Sequence, residues 1–310
     1  MKTNKNLFGI LFLFSCILGC TSCDNENDPK LIDPSYKSIE ISCGIDFEIP
    51  VLADNWTIES VEEVSSGIML QDKNNNPLTL EGNDEVEAKN GWLALSRKDE
   101  NGFTIKLKEN FDPEQERKLR ICINSNGEND YVTIIQKSGK AYKLVKTKFE
   151  EIQEERETYI QAIDSITRFN PSNEDMFVQI YDKDLFKNVI ESSEFESDDY
   201  GAFSWIPEEG IQIYGPELKL DDNRVWGWDN KITYMNGTVT RPHQSHAEGK
   251  ISTTLKPNKS IKFIGKIKYY KRKCKYTFTI ENSISRTQFE VSGIWTHILP
   301  ADIIIETHDK

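Results

Sequence analysis

Cysteine is scarce in the body of this 310-residue sequence. Three of the six cysteines fall within the first 23 residues, and the others, Cys43, Cys122 and Cys274, lie far apart. Three distant cysteines supply neither a disulfide framework nor a clustered metal site. A single bridge between Cys43 and Cys122 stays open for an oxidising compartment, and small buried thiols are the alternative.

Positive charge, long apolar runs and catalytic motifs are also lacking. The chain carries 38 Lys and Arg against 51 Asp and Glu, a net charge of −13. Binding to duplex nucleic acid needs a dense cationic surface, so we expect no nucleic-acid partner. Beyond the N-terminus no run is long enough to cross a bilayer. Neither a Gly-x-Ser-x-Gly elbow nor a phosphate-binding glycine loop is present, so we predict no enzyme activity and no cofactor.

The first 35 residues have the organisation of a lipoprotein leader. Lys2 and Lys5 precede an apolar run over 7–18, which suits a signal-peptide core and is short for a membrane span. Small residues then meet Cys20 and Cys23, as in a lipobox. The acidic tract that follows Cys23 resembles the surface-export signal of Gram-negative lipoproteins. We predict a signal peptide over 1–22, lipidation at Cys23 with Cys20 as the alternative, and an acidic tether over 23–35.

Residues 36–138 alternate apolar and polar side chains. Phe103, Ile105 and Leu107 alternate with polar residues, and the same period recurs from 119 to 123. A period of two places apolar groups on one face, as in half-buried strands. Asn126-Gly127 and similar pairs supply the turns between them. This region is therefore predicted to be a small all-β sandwich.

The same region resembles the BACON family. The resemblance rests on Trp92-Leu93, Asn110, Glu116-Arg117 and Gln136, within a strand order that covers about 36–137. It implies an immunoglobulin-like β-sandwich, a place beside glycan-active domains in surface lipoproteins, and a proposed carbohydrate-binding role. Residues 61–90 depart from the family pattern, and we expect a protruding hairpin there.

Residues 139–310 predict a second β-rich domain of no recognised family, with one or two helices. Residues 148–167 place apolar side chains near a 3.6-residue period, with a strongly charged opposite face, which predicts a helix. Short alternating segments then continue to the C-terminus. The fold class expected for the whole chain is mainly β.

Aromatic residues crowd the loop-like part of this second region. Trp226 and Trp228 stand beside Asp229 and Asn230, and Tyr200 and Trp205 precede them. Flat rings beside polar groups are a common means of holding sugars. We therefore take these four aromatics as glycan-binding candidates, with Trp226 and Trp228 as the platform. The alternative is that they are core residues.

Lysines crowd a predicted hairpin near the C-terminus. Lys266, Lys268, Lys273 and Lys275 are expected on one solvent face, where like charges across strands repel. Acidic residues of the chain, an anionic glycan, or a guarded edge hairpin would each explain them. His243, His246 and Glu248 are residue types that bind metals, but no third histidine or cysteine lies near them in the sequence, so we predict no metal.

The sequence as a whole predicts a non-catalytic lipoprotein anchored at the outer-membrane surface, with carbohydrate as its ligand. The export signal, the family resemblance and the aromatic cluster together carry this expectation. The alternative is a structural or adhesion protein that docks a surface protein and uses the sandwich as a spacer.

Overall fold

The chain is mainly β, with several antiparallel sheets and almost no helix. The computed structural model describes residues 31–42, 44–222, 224–226, 231–243 and 249–309. Within these ranges the helical segments are α1 (Asp182–Leu185) and two 3-10 turns, Pro34–Tyr36 and Gln153–Glu155. None of the described helices has the length and apolar character needed to cross a membrane.

The first group of strands forms two sheets on one core. The strands are β1 (Ser38–Ile41), β2 (Ile45–Pro50), β3 (Trp56–Glu63), β4 (Ile68–Met69), β5 (Glu85–Glu87), β6 (Leu93–Asp99), β7 (Gly102–Leu107), β8 (Arg117–Ser125) and β9 (Glu128–Gln136). One sheet has the order β1-β9-β8-β3-β4 and the other β2-β7-β6-β5. Strand β1 joins β9 in parallel, and the other pairs between these strands are antiparallel.

Alternation along these strands fills the space between the two sheets. Ile105 of β7 and Ile121 of β8 are fully buried and face each other across the core with Trp56 of β3. Segment 61–90 does not protrude as we expected, because Leu78 and Leu80 are also buried and Leu80 bridges Ile58. Burying two leucines is worth about 3–6 kcal/mol, which favours folding this segment onto the core.

The second group of strands continues to the C-terminus. The strands are β10 (Tyr142–Glu151), β11 (Glu157–Phe169), β12 (Met176–Tyr181), β13 (Ile190–Glu196), β14 (Ile211–Tyr214), β15 (Leu218–Lys219), β16 (Val225–Trp226), β17 (Lys231–Tyr234), β18 (Gly237–Pro242), β19 (Lys250–Leu255), β20 (Ser260–Asn282) and β21 (Gln288–Asp309). The main sheet has the order β10-β20-β21-β13-β18, with β11 also paired to β20. Three two-stranded sheets, β12-β19, β14-β17 and β15-β16, complete the described part.

The predicted helix over 148–167 is wrong. Those residues form the end of β10 and most of β11, joined by a 3-10 turn, and both strands pair antiparallel with β20. The local apolar spacing was compatible with a helix, but pairing with a long neighbouring strand supplies backbone partners along the whole segment. Tertiary pairing of this kind overrides a local periodicity.

Strand β20 is a single strand of 23 residues and not the two arms of a hairpin. At each irregularity in the pairing, the additional residue lies in the partner strand (β10, β11 or β21), and β20 itself is regular. Successive side chains therefore alternate faces along its full length. Phe263 and Ile267 pack with the β12-β19 pair on one face, whereas Tyr276 and Phe278 pack with Phe195 on the other.

The residues that carry the family resemblance come together where the two groups of strands meet. The Arg117 guanidinium lies 4.5 Å from the Trp92 ring and donates to Gln136 Oε1 at 3.2 Å. Gln136 Nε2 donates to the Lys108 carbonyl at 2.8 Å. Arg117 also donates to the hydroxyl of Tyr200, from the second group of strands. This motif thus secures the junction between the two halves.

Candidate binding groove

An open groove of about 720 Å³ runs beside Trp226 on the second group of strands. Trp226 belongs to the short strand β16, which pairs with Leu218 of β15. Arg224 and Arg241 lie on its rim, and Leu299 and Pro300 of β21 contribute apolar surface. The groove is therefore concave and partly apolar, with a small set of polar groups, as ligand sites commonly are.

The Trp226 ring is half-buried and rests on a stack of buried side chains. Its centroid lies 4.6 Å from that of His297, which in turn stacks on Trp295 at 4.9 Å and 14°. The Arg272 guanidinium lies 5.3 Å from the Trp226 ring and 4.9 Å from Trp295. These contacts fix the orientation of the ring.

Arg272 is a buried cation, and no carboxylate of the described residues lies within ion-pair distance of it. Its guanidinium donates to the Pro216 carbonyl at 2.7 Å and to the Glu217 carbonyl at 2.8 Å. Desolvation lowers the pKa of Arg272 to about 10, so it stays charged at neutral pH. The two carbonyls and the two tryptophan rings take the place of water around this charge.

Glu191 connects the buried stack to the rim of the groove. It accepts from Arg241 Nη2 at 2.8 Å, and its Oε1 lies 3.0 Å from His297 Nε2. Desolvation raises the pKa of Glu191, but the hydrogen bond to His297 and the charge of Arg241 outweigh it, so the net shift is downward. Burial lowers the pKa of His297, which keeps this imidazole neutral at pH 7.

Arg224 lies at the other side of the groove and is held by two carboxylates. It donates to Asp221 Oδ2 at 2.5 Å and to Asp302 Oδ1 at 2.6 Å. These bonds leave part of its five-donor fork available, and its side chain is 46% exposed. Two arginines, Arg224 and Arg241, are thus paired with three carboxylates at the rim of the groove. The rim therefore offers hydrogen-bond donors and acceptors without a large net charge.

The other aromatic candidates lie elsewhere. Trp205 packs against the core beside Tyr234, with ring centroids 6.2 Å apart, and its Nε1 donates to the Ala202 carbonyl at 2.9 Å. Tyr200 lies at the junction of the two halves, where its hydroxyl donates to the Glu109 carbonyl at 3.2 Å. The structure therefore does not bring Tyr200 or Trp205 to Trp226. Trp228 lies outside the described residues.

The four lysines do not share one surface. Because β20 is continuous, Lys266 and Lys268 lie on the face opposite to Lys273 and Lys275. Lys266 pairs with Glu306 at 2.6 Å, Lys268 approaches Asp302 at 3.9 Å, and Lys273 pairs with Glu155 at 2.7 Å. Lys275 lies opposite Glu150 in the register of β10. Acidic residues of the chain itself thus compensate the lysines. Tyr270, on the same face as Lys266 and Lys268, is buried.

The remaining predicted positions can be placed in part. His243 lines the groove, and His246, Cys20, Cys23 and Cys43 lie outside the described residues. No cluster of three metal-ligating side chains occurs within the described ranges. Cys122 and Cys274 are buried free thiols.

Arg224, Arg241 and Glu191 line the groove and His297 lies buried beneath Trp226, but the sequence pattern predicts none of them. They come from three strands and one loop, so no spacing in the sequence connects them. The only local signal was Arg224 two residues before Trp226.

Comparison with known proteins gives distant likenesses. No protein-family model matches the chain, and no curated protein does. A protein from Bacteroides thetaiotaomicron solved by NMR is 16% identical, with a TM-score of 0.27, over 40% of this chain and 100% of its own. Lamprey immune protein is 10% identical, with a TM-score of 0.36, over 88% of this chain and 89% of its own. The parasporin-2 toxin of Bacillus thuringiensis is 8% identical, with a TM-score of 0.32, over 55% of this chain and 74% of its own. Likenesses at this level carry no argument about function.

Proposed function

We propose that this chain is a non-catalytic lipoprotein of the outer-membrane surface that binds carbohydrate in the Trp226 groove. In this proposal the first 138 residues comprise a signal peptide, a tether lipidated at Cys23, and a BACON-like sandwich that carries the binding half away from the membrane. The observation that carries the binding site is a half-buried tryptophan ring held rigid beneath an open groove.

The ring supports this proposal because it is half-buried and lines the groove. His297 and Arg272 lie against it, so a ligand in the groove has the exposed part of the ring. The C–H face of a pyranose is apolar and flat, and it stacks on such a ring. Because the ring is already held in place, binding costs little side-chain entropy.

The rim groups support a neutral sugar over an anionic one. Arg241 is paired with Glu191, and Arg224 with Asp221 and Asp302, so carboxylates oppose both arginines among the described residues that line the groove. Sugar hydroxyls both donate and accept hydrogen bonds, which suits alternating guanidinium and carboxylate groups. Binding should therefore change little when the ionic strength rises.

A glycan array with the full chain tests the proposal, followed by titration of the best neutral glycan against two variants. Trp226→Ala should weaken binding about tenfold or more, since a tenfold loss corresponds to about 1.4 kcal/mol. Tyr214→Ala is the matched control, because Tyr214 is an exposed aromatic (64%) that does not line the groove, and it should bind as the parent does.

Circular dichroism of both variants shows whether the second half stays folded. Unchanged affinity in a folded Trp226→Ala protein would overturn the site. An array with no glycan bound, together with capture of one stoichiometric surface protein, would overturn the function in favour of adhesion.

A further inference from the structure

A smaller cavity of about 150 Å³, which we call the side cavity, adjoins the Trp226 groove. Glu191 of β13 and Arg241 of β18 line both cavities, so this pair forms the boundary between them. Residues that line only the side cavity include Gln212 of β14 and Thr233 of β17. The concave surface therefore continues from the tryptophan ring, past the Arg241–Glu191 pair, to a second sheet.

Glu191 has an unused acceptor at this boundary. Its Oε1 accepts from Arg241 Nη2 at 2.8 Å and lies 3.0 Å from His297 Nε2. Its Oε2 makes no hydrogen bond with the described residues, although the side chain is only 8% exposed. That oxygen is not one of the fully enclosed atoms without a partner, so it reaches the surface of the cavities that Glu191 lines. A carboxylate oxygen there accepts hydrogen bonds from ligand hydroxyls.

The side cavity carries further polar atoms that the chain leaves available. Gln212 Nε2 donates to Thr233 Oγ1 at 2.7 Å, while Gln212 Oε1 has no hydrogen-bond partner in the described part of the chain. Ser193 Oγ accepts from Trp295 Nε1 at 2.8 Å, which leaves its own hydroxyl proton to donate. Lys231, which is exposed, also lines the cavity and adds a donor. The side cavity thus offers both donors and acceptors to a ligand with several hydroxyl groups.

One imidazole ring separates the Trp226 ring from Glu191. The centroid of the His297 ring lies 4.6 Å from that of Trp226, and its Nε2 lies 3.0 Å from Glu191 Oε1. A single pyranose stacked on Trp226 covers the tryptophan and the groove beside it. A ligand has to extend by a further ring to reach the side cavity beyond Glu191.

We propose that the Trp226 groove and the side cavity are two consecutive subsites, and that the ligand is a neutral oligosaccharide of at least two units. This inference rests on the carbohydrate binding proposed above. The first unit stacks on Trp226, and hydroxyls of the second unit donate to Glu191 Oε2 and Gln212 Oε1. Val239, which lines the side cavity, provides apolar surface for the second ring. A charged sugar is not required, because Glu191 and Arg241 neutralise each other at the boundary.

Calorimetric titration of the full chain with the cello-, malto-, manno- and chito-oligosaccharide series, each as monosaccharide and disaccharide, tests the second subsite. In a series that binds, the disaccharide should bind about tenfold more tightly than its monosaccharide, because it adds hydrogen bonds to an ionised acceptor. Equal affinity of the two in every series that binds would overturn the second subsite and leave binding at Trp226 standing. No binding in any series would overturn carbohydrate binding itself, and this inference with it.

Substitutions on the far wall of the side cavity locate the second subsite. Gln212→Ala and Thr233→Val should each lower the ratio of disaccharide to monosaccharide affinity about threefold or more, because these side chains line the side cavity and not the groove. Trp226→Ala should weaken both sugars. Gln161→Ala is the control, since it makes the same change on an exposed strand position that lines neither cavity. An unchanged ratio in both folded side-cavity variants would overturn the assignment of the second subsite.

Discussion

Replacing Arg272 tests how the Trp226 platform is supported. This side chain is 1% exposed and lies against both Trp226 and Trp295. Two substitutions separate its roles. Arg272→Met keeps most of the volume and removes the charge and the donors, whereas Arg272→Ala also removes the packing.

Arg272 contributes to the free energy of unfolding with both signs, and the contributions can be compared. Two hydrogen bonds from a charged donor, to the Pro216 and Glu217 carbonyls, contribute about 1.5–3 kcal/mol each. Two cation–ring contacts contribute about 0.5–2 kcal/mol each. Against them stands desolvation: a pKa lowered from 12.5 to about 10 corresponds to ~3 kcal/mol. Because Arg272 is charged at all pH values below about 10, this cost is constant across the ordinary range.

We therefore expect Arg272→Met to lose about 1–7 kcal/mol of unfolding free energy, since the lost hydrogen bonds and cation–ring contacts outweigh the relieved desolvation. Arg272→Ala should lose a further ~2–5 kcal/mol through the cavity left between the rings. Urea denaturation followed by circular dichroism measures both. Affinity for the groove ligand should fall in the same order. Equal destabilisation by the two substitutions would refute the idea that Arg272 acts as packing beneath the platform.

Two further predictions concern His297, beneath the Trp226 groove, and Gly201, at the junction of the two halves. Burial lowers the pKa of His297, which faces Glu191, Arg241 and Arg272, so the unfolded chain binds the additional proton below about pH 6.5. The melting temperature should therefore fall from pH 7.5 to 5.5, with a flatter profile in His297→Asn, and identical profiles would contradict this. Gly201→Ala should destabilise the junction by about 1–3 kcal/mol in urea denaturation, because its Cβ would lie 2.1 Å from Phe111 Cε2 at a φ of +77°. Gly127→Ala, at a φ of +86° with nothing within 4 Å, isolates the backbone effect, and an equal loss there would show that the clash with Phe111 is irrelevant.

Strands with a clear period of two were predictable from the sequence. Phe103, Ile105 and Leu107 alternate and are buried as expected, and Asn126-Gly127 forms the β8-β9 turn with positive φ at both residues. These features depend on neighbours within a few positions, so local chemistry determines them.

Features that depend on distant pairing were not predictable. The 148–167 segment has apolar spacing close to a helix, and only β20, about 100 residues later, makes it a strand pair. The two-sided burial of β20 also needs two separate cores, which no local pattern shows. This is why the four lysines that the sequence pattern predicts on one surface lie on opposite faces of β20.

The candidate sites follow the same division. Trp226 could be proposed as a binding residue because an aromatic ring beside glycine and polar residues is a local signal. The buried network beneath it joins Glu191, Arg272 and His297 from three strands. The cavity between the two halves, which Phe111 lines, joins β2, the loop after β7 and β21. Sites assembled from several elements are specified by packing, which single-sequence reasoning does not supply.

Strand β21 runs from the junction of the two halves to the Trp226 groove, and its length keeps the two places independent. Phe289 packs against Phe111 at the junction, and Pro300 lines the groove. Their separation of 11 residues corresponds to ~36 Å along an extended strand. Substitutions more than about 10 Å apart with no shared partners normally act additively. Gly201→Ala, which acts on Phe111, should thus leave glycan binding by the folded protein unchanged, and Trp226→Ala should leave the destabilisation caused by Gly201→Ala unchanged. A folded Gly201→Ala protein that had lost glycan binding would mean that the junction and the groove are coupled.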